Sequence, residues 1–210
     1  MDKRLCALGG IAFVALVVLT LVVSGSTPEP GDDAAAVAAF YDKDEARQFV
    51  TSFVFAATVP FLILFAVGLV RTVGDDRNAL WGQLAIAGAI LAGGVILITA
   101  AVHFALLDAV NQDAVAPEAI AALNFLEGST WVAFNAGFGV MMLGAAGVTL
   151  SGSGGRRWLG RVAIVLGIAL FIPVADFFAL LGMLLWILIV SVVQSRAVKP
   201  GSVASSAPAH

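Results

Sequence analysis

Apolar residues fall in long unbroken blocks along this chain, separated by short polar segments. A helix needs roughly 20 apolar residues to cross about 30 Å of hydrocarbon. Four blocks meet that length: Leu5 to Val23, Phe49 to Val70, Trp81 to Leu107 and Thr130 to Leu150. A fifth block, Val162 to Val193, is too long for one crossing. Its 32 residues would reach about 48 Å at 1.5 Å per residue, more than ordinary tilt absorbs. Within it, "FIPVADFFAL" sets Pro173 and Asp176 among apolar neighbours. Proline removes an amide donor and disfavours helix for the residue before it. Dividing the block there, with Trp158 and Leu159 added at its front, gives two short spans, 158–175 and 177–193, and places Asp176 at the tip of a hairpin. The pattern therefore predicts an all-α integral membrane bundle of six transmembrane helices. It forms one domain over 1–195, and 196–210 is read as a disordered cytoplasmic tail.

Charge gives the orientation independently. With six spans and the N-terminus inside, the cytoplasmic segments hold nine Lys and Arg residues and the outer segments only Lys43 and Arg47. A single span in the last block would move Arg196 and Lys199 outside and reduce the contrast to seven against four. Positive residues concentrate on the cytoplasmic side, so six spans with both termini cytoplasmic in a bacterial cell membrane is the expectation. The opening "MDKRLCALGGIAFVALVVLTLVVSGSTPEP" has the outline of a signal peptide, but its apolar part exceeds the 7–15 residues usual for one. It reads as an uncleaved first span.

The outer connections carry helical signals of their own. "STPEPGDDAAAVAAFYDKDEARQ" sets Asp32 and Asp33 ahead of an alanine-rich stretch, where carboxylates complement a helix N-terminus. Val37, Phe40 and Tyr41 share a face there, so a short helix resting on the membrane or the bundle is expected. In the second loop "PEAIAALNFLEG" reads as another short interfacial helix, with Pro117 at its first position. The inner "SGSGGRRWLGR" is a flexible linker with Trp158 as an interface anchor. Its glycines lack the Lys and Ser/Thr of a phosphate-binding loop.

Composition agrees: 60% of residues are hydrophobic, 12% are charged and the mean hydropathy is +1.02. A net charge of −3 supplies no basic surface for nucleic acid, which leaves the lipid bilayer as the expected partner. The single Cys6 excludes an internal disulfide. Small residues recur at helical spacing, as Ala85, Ala89 and Gly93 with Gly88 and Ala92 alongside, then Ala133 and Gly137, Ala136 and Gly144, and Ala163 and Gly167. Such faces let helices approach closely in lipid, within one chain or between copies in a homo- or hetero-oligomer.

Ionisable groups inside spans are costly and mark candidate sites. The candidates are His103, Asp108, Glu127, Asn135 and Asp176, all in the outer half of the predicted topology. Joined, His103, Glu127 and Asp176 would make an outward-opening site for a proton or for zinc, since imidazole and carboxylates are suitable zinc ligands. No HxxxH or ExxH pair supports a metal, so no metal or cofactor is assigned. The simpler expectation is that His103 and Asn135 bond neighbouring helices, Thr58 and Thr99 bond their own, and the acids face water. On that reading Asp176 caps the sixth helix, and Asp176→Asn is silent.

"GDDAAAVAAFYDKDEARQFV" leading into the second span and "RRWLGRVAIVLGIALFIP" opening the fifth resemble small multi-pass membrane proteins of actinobacteria. That group carries a domain-of-unknown-function label and about six spans. The resemblance implies fold and location and brings no catalytic residues. A non-enzymatic structural or accessory membrane component is the first functional expectation. The alternatives are a small-molecule transporter with a polar cavity lined by His103, Asn135 and Thr99, and an enzyme at the same outer cluster.

Overall fold

A computed structural model describes residues 3–25, 27–29, 31–73, 79–112, 115–151 and 157–196. Among these residues there are helices and no strands. In chain order they are α1 (Lys3–Ser24), α2 (Ala34–Lys43), α3 (Glu45–Ala56), α4 (Thr58–Val73), α5 (Ala79–Val110), α6 (Pro117–Ser151), α7 (Arg157–Ala169) and α8 (Asp176–Arg196). Five segments are long and apolar enough to cross a membrane: α1, α3 with α4, α5, α6 and α8. The all-α class and a multi-pass membrane protein follow. The tail expected over 196–210 lies outside the described residues beyond Arg196, as do residues 152–156 of the inner linker.

The last apolar block is two helices, and the chain reverses between them. Phe171 and Ile172 donate to the carbonyls of Ile168 and Ala169, and Ala175 and Asp176 both donate to Ile172, so tight turns replace the helix over 170–175. Trp186 Nε1 then reaches back 2.9 Å to the carbonyl of Leu159, fixing α7 and α8 side by side in opposite directions. One part of the expectation changes. At 13 residues, α7 is about 20 Å long at 1.5 Å per residue, shorter than a full crossing. Of the six expected spans, five reach the required length, and the sixth is this short arm of a hairpin.

The second span is broken where proline dictates. Pro60 cannot donate to the carbonyl of Ala56, and the helix is interrupted at Ala57, between α3 and α4. The break is satisfied locally, by Ala57 N donating to Phe53 O and by the Thr58 hydroxyl at 2.6 Å from Phe55 O. The second outer connection differs from expectation. α6 begins at Pro117 as predicted, but it runs unbroken for 35 residues instead of forming a separate short helix before the span. No proline follows within it, and the Ser129 and Thr130 hydroxyls bond back to Phe125 O and Glu127 O inside the helix. At about 1.5 Å per residue such a helix is longer than the hydrocarbon by several turns, and its first turns run beside the end of α5, where α2 packs.

Around the bundle the order is α1, α4, α5, α6, α7, α8 and back to α1. The core between them is apolar, with Phe13, Phe65, Ile96, Phe138, Met141, Met142, Trp186 and Ile187 at its centre. α1 belongs to this core: Phe13 packs on Phe138, and Gly9 lies against the backbone of Phe61 and Phe65. The closest approach is between α5 and α6. A Cβ on Gly88 would strike the Met141 backbone, one on Gly144 the Ala85 backbone, and one on Gly137 would lie 2.6 Å from Ala92 N. The small-residue faces expected from spacing thus meet here, and Ala163 and Gly167 of α7 pack on the opposite side of α6. Ala133 is exposed and stands outside the seam, and Gly93 faces Val59 of α4 instead.

α2 crosses the outer end. Its Val37 and Tyr41 are buried against Leu106, Leu107 and Ala109 of α5 and Ile120 of α6, with Phe40 half-buried beside them. The face expected from the i, i+3, i+4 spacing is therefore the one that packs, and it packs on the bundle. Asp33 stands at the N-cap without a side-chain hydrogen bond, and Asp32 accepts instead from Glu29 N at 2.8 Å, closing the loop ahead of the helix.

The seam yields a paired test. Gly144→Ala should lower stability by about 1–3 kcal/mol through overpacking, because its methyl would meet backbone that cannot rotate away. Gly94→Ala has nothing within 4 Å and should be neutral or stabilise by up to about 1 kcal/mol through helix propensity. Thermal unfolding of both variants in the same detergent measures the contrast. Equal effects would remove the seam as the determinant of packing.

Candidate functional site

The α5–α6 seam sets the geometry of the polar residues. Ala85 faces Gly144, Gly88 faces Met141 and Ala92 faces Gly137. Continued outward at the same antiparallel register, the seam brings Thr99 to Thr130, with hydroxyls 2.8 Å apart, and His103 to Glu127, with Nδ1 2.7 Å from Oε1. Residues 127, 130, 134, 137, 141 and 144 follow one another at steps of three and four. Such steps keep a seam facing its partner in near-antiparallel packing. The register that seats glycine against backbone below therefore seats imidazole against carboxylate above.

A third side chain completes the cluster. Tyr41 of α2 donates its hydroxyl to Glu127 Oε2 at 2.9 Å and stands 3.4 Å from His103 Nδ1, its ring edge-on to the imidazole at 5.0 Å. Tyr41 is 1% and His103 7% exposed, and the Glu127 carboxyl is only partly open. Burial first, then the Glu127 charge and hydrogen bond, push the Tyr41 phenol well above its ordinary pKa. The carboxylate receives one donor on each oxygen and can accept about four in all. His103 Nε2 is buried without a hydrogen-bond partner.

Glu127 also forms part of the wall of a cavity of about 290 Å³. Thr27 and Pro28 of the loop after α1, Phe55 of α3, Thr99 of α5, and Asn124, Gly128, Thr130, Trp131 and Phe134 of α6 also line it. Asn124 Nδ2 ties the loop down by donating to Glu29 O at 2.8 Å. Trp131 and Phe134 stack at 5.7 Å, and Phe55 packs on Phe134 at 6.4 Å, so the inner wall is aromatic.

The five residues singled out by sequence separate into three places. His103 and Glu127 meet directly. Asn135 and Asp176 meet at a second site, where Asp176 Oδ2 accepts from Trp131 Nε1 at 2.6 Å and from Asn135 Nδ2 at 2.9 Å. A second cavity of about 370 Å³ lies there, between α6 and the turn after α7. Asp108 is exposed and is held only by Gln112 Nε2 at 2.8 Å. The alternative of one site joining His103, Glu127 and Asp176 does not form. Glu127 and Asn135 are eight residues apart on α6, about 12 Å at helical rise, and Asp176 is engaged at the latter. Among the described residues no group of three His, Cys, Asp or Glu side chains could hold a metal ion.

Two further corrections concern exposure and capping. Asp176 is not a hydrated tip: it is half-buried, and its Oδ1 accepts from Phe177 N at 2.7 Å, the next residue, instead of from amides two or three on. Glu127 does not simply face water. Asn135 does bond a neighbouring helix as expected, while Thr99, 2.9 Å from Val95 O, has a second partner across the seam in Thr130. Sequence reasoning missed Tyr41, the chain's single tyrosine, and Trp131 as members of the two sites. The signal for Trp131 was its position midway between Glu127 and Asn135, four residues from each and so on the same helix face. No protein-family model, curated protein or solved structure matches this chain, and the functional reading rests on this geometry.

Two outcomes follow. Asp176→Ala should destabilise the protein by about 1–3 kcal/mol, because the buried Asn135 amide loses its acceptor, as does the more exposed Trp131 indole. Asp176→Asn should fall between Ala and wild type instead of being silent. Chemical unfolding followed by Trp fluorescence measures both, and three superimposable curves would refute the Asp176 link. Separately, the raised Tyr41 pKa means that its contribution is complete below the ordinary tyrosine value of about 10 and is lost as pH rises through the higher folded value. Hydrogen exchange over α2 should therefore accelerate above about pH 10 in the wild type. In Tyr41→Phe the exchange should already be fast at neutral pH, with no added alkaline step from this group.

Proposed function

We propose that this protein is a six-helix component of a bacterial cell membrane, both termini cytoplasmic, whose outer end receives a small molecule in the cavity beside Glu127. The observation that carries this reading is the cavity itself. It is of about 290 Å³, close to the lower limit of about 300 Å³ for small-molecule sites, and it is walled by a carboxylate that Tyr41 and His103 hold in place. A few convergent polar groups in an otherwise apolar concavity are the usual make-up of such sites.

Binding is favoured over transport by what lies below. Phe134 and Phe138 stack edge-to-face at 4.6 Å beneath the cavity, and Phe13, Ile96, Met141 and Met142 fill the space beyond them. A solute would meet a packed apolar plug. The cavity is also not the one a carrier reading anticipated, since Thr99 lines it while Asn135 lines the second cavity and His103 stands behind Glu127. The accessory role inferred from sequence is therefore retained and given a ligand-receiving site. The six-helix topology is supported by the chain reversal before α8 and by the charge asymmetry. The integration of α1 into the core supports an uncleaved first helix. The resemblance to the small actinobacterial membrane proteins is part of the same proposal.

Reporter fusions test the orientation: a reporter active only outside the cytoplasm should work when inserted at Gly31 and fail after Arg196. Activity after Arg196 would overturn it. For the cavity, ligand-detected NMR on the full chain in nanodiscs with a mixed-charge set of small aromatic fragments should find binders, and Thr99→Phe, which fills the space, should abolish their signals. Absence of any binder, or signals unchanged by Thr99→Phe, would remove the binding role.

A further inference from the structure

The cavity's chemistry also indicates what kind of molecule it takes. Among the described lining residues Glu127 is the one ionisable group, and none is basic. Its two fixed partners are a phenol and an imidazole Nδ1, each filling one acceptor position on one oxygen. Further positions on the carboxylate remain for a donor. On the same face of α6, one and two turns along from Glu127, Trp131 and Phe134 provide aromatic faces, with Phe55 of α3 packed on Phe134. The Trp131 N–H is engaged by Asp176 on the far side, which fixes how the indole stands between the two cavities. A carboxylate together with aromatic faces is the combination that recognises ammonium ions, through charge and through the ring quadrupole.

The surrounding field points the same way. By sequence position, the end of the bundle that carries Glu127 holds eleven acidic residues: six between Glu29 and Glu45, four between Asp108 and Glu127, and Asp176. Against them stand two basic residues, Lys43 and Arg47, and Arg47 is paired at 2.9 Å with Asp44. A surface of one sign raises the local concentration of the opposite ion at a cleft. An anionic ligand would have to enter against this field and sit beside a carboxylate, and a neutral one would leave the charge without use.

We infer that the outer cavity binds a small organic ammonium ion, with Glu127 as its counter-charge and Trp131, Phe134 and Phe55 as its apolar walls. This rests on the small-molecule reading above. The same chemistry occurs in freely diffusing amines and in the choline or ethanolamine headgroups of lipids, and both would use the same carboxylate.

The test uses the full chain in nanodiscs and three probes of similar size and different charge: benzyltrimethylammonium, neopentylbenzene and 3-phenylpropionate. Saturation-transfer NMR should show the cation binding at least ten-fold more tightly than the other two. Glu127→Gln keeps the shape of the side chain and removes its charge, and should reduce cation binding at least ten-fold while leaving the weak neutral binding unchanged. Trp131→Leu should also weaken the cation. Nanodiscs of phosphatidylglycerol compared with phosphatidylcholine and phosphatidylethanolamine separate the sources. Loss of probe binding only in the ammonium-bearing lipids assigns the site to a headgroup, and equal binding in all three assigns it to a free amine. Binding of the neutral or anionic probe at least as tightly as the cation would overturn the ammonium inference while leaving the binding role intact. No binding by any of the three, in wild type, would overturn both. The wild-type charge series decides the matter even if a variant fails to fold.

Discussion

The close approach of α5 and α6 is the constraint on which the outer end of this protein depends. In lipid no hydrophobic force drives one apolar helix against another, and backbone proximity with dense packing must supply the attraction. Gly88, Gly137 and Gly144 permit it by leaving room where any Cβ would strike the facing backbone. A seam of that kind cannot slide, since a shift of one residue would place side chains where only hydrogen fits. Every pair further along is therefore fixed in register, including Thr99 with Thr130 and His103 with Glu127.

Fixing a carboxylate near the membrane creates an obligation to satisfy it. Transfer of an isolated charge from water is expensive enough that a partner is required, and the partners come from different parts of the chain. His103 comes from α5 by register. Tyr41 comes from α2, which is held by its own apolar contacts with Leu106, Leu107 and Ile120. The extra turns at the start of α6 are what make this possible, because they carry Ile120 and Asn124 outward to meet α2 and the first loop. The length of α6 and the presence of a helix across the outer end are thus two parts of one arrangement.

How much of this was legible follows from which interactions are local. Span positions depend on apolar run length, which the sequence displays directly, and the reversal before α8 was visible because Pro173 and an overlong run both demanded it. The small-residue faces were also readable, although the spacing of Ala133 and Gly93 did not say which neighbour each would meet. The candidate site was half visible: polar residues at one membrane depth were identified, but depth does not fix azimuth. Asp176 and Glu127 lie at the same end and yet belong to different cavities, because Asp176 meets α6 at Asn135, about two turns along the helix from Glu127. Tyr41 was seen as part of a packing face, and its hydroxyl's destination could not be read until α2 was placed on α5 and α6. The continuity of α6 does not show in the apolar run length, because Glu127, Gly128 and Ser129 interrupt the apolar stretch without stopping the helix.

The distribution of polarity along the bundle axis bears on what such a cavity can do. A carrier must let a solute leave on the far side, which requires a second arrangement of the helices with a polar path below the site. Here the residues below are Phe138, Met141 and Met142, locked between α5 and α7 on either side of α6, with glycine contacts too close to rearrange by small displacements. Opening that path would mean breaking the same seam that positions Glu127. The site and its closed floor therefore have a common origin. Such an arrangement fits the proposed binding role better than transport.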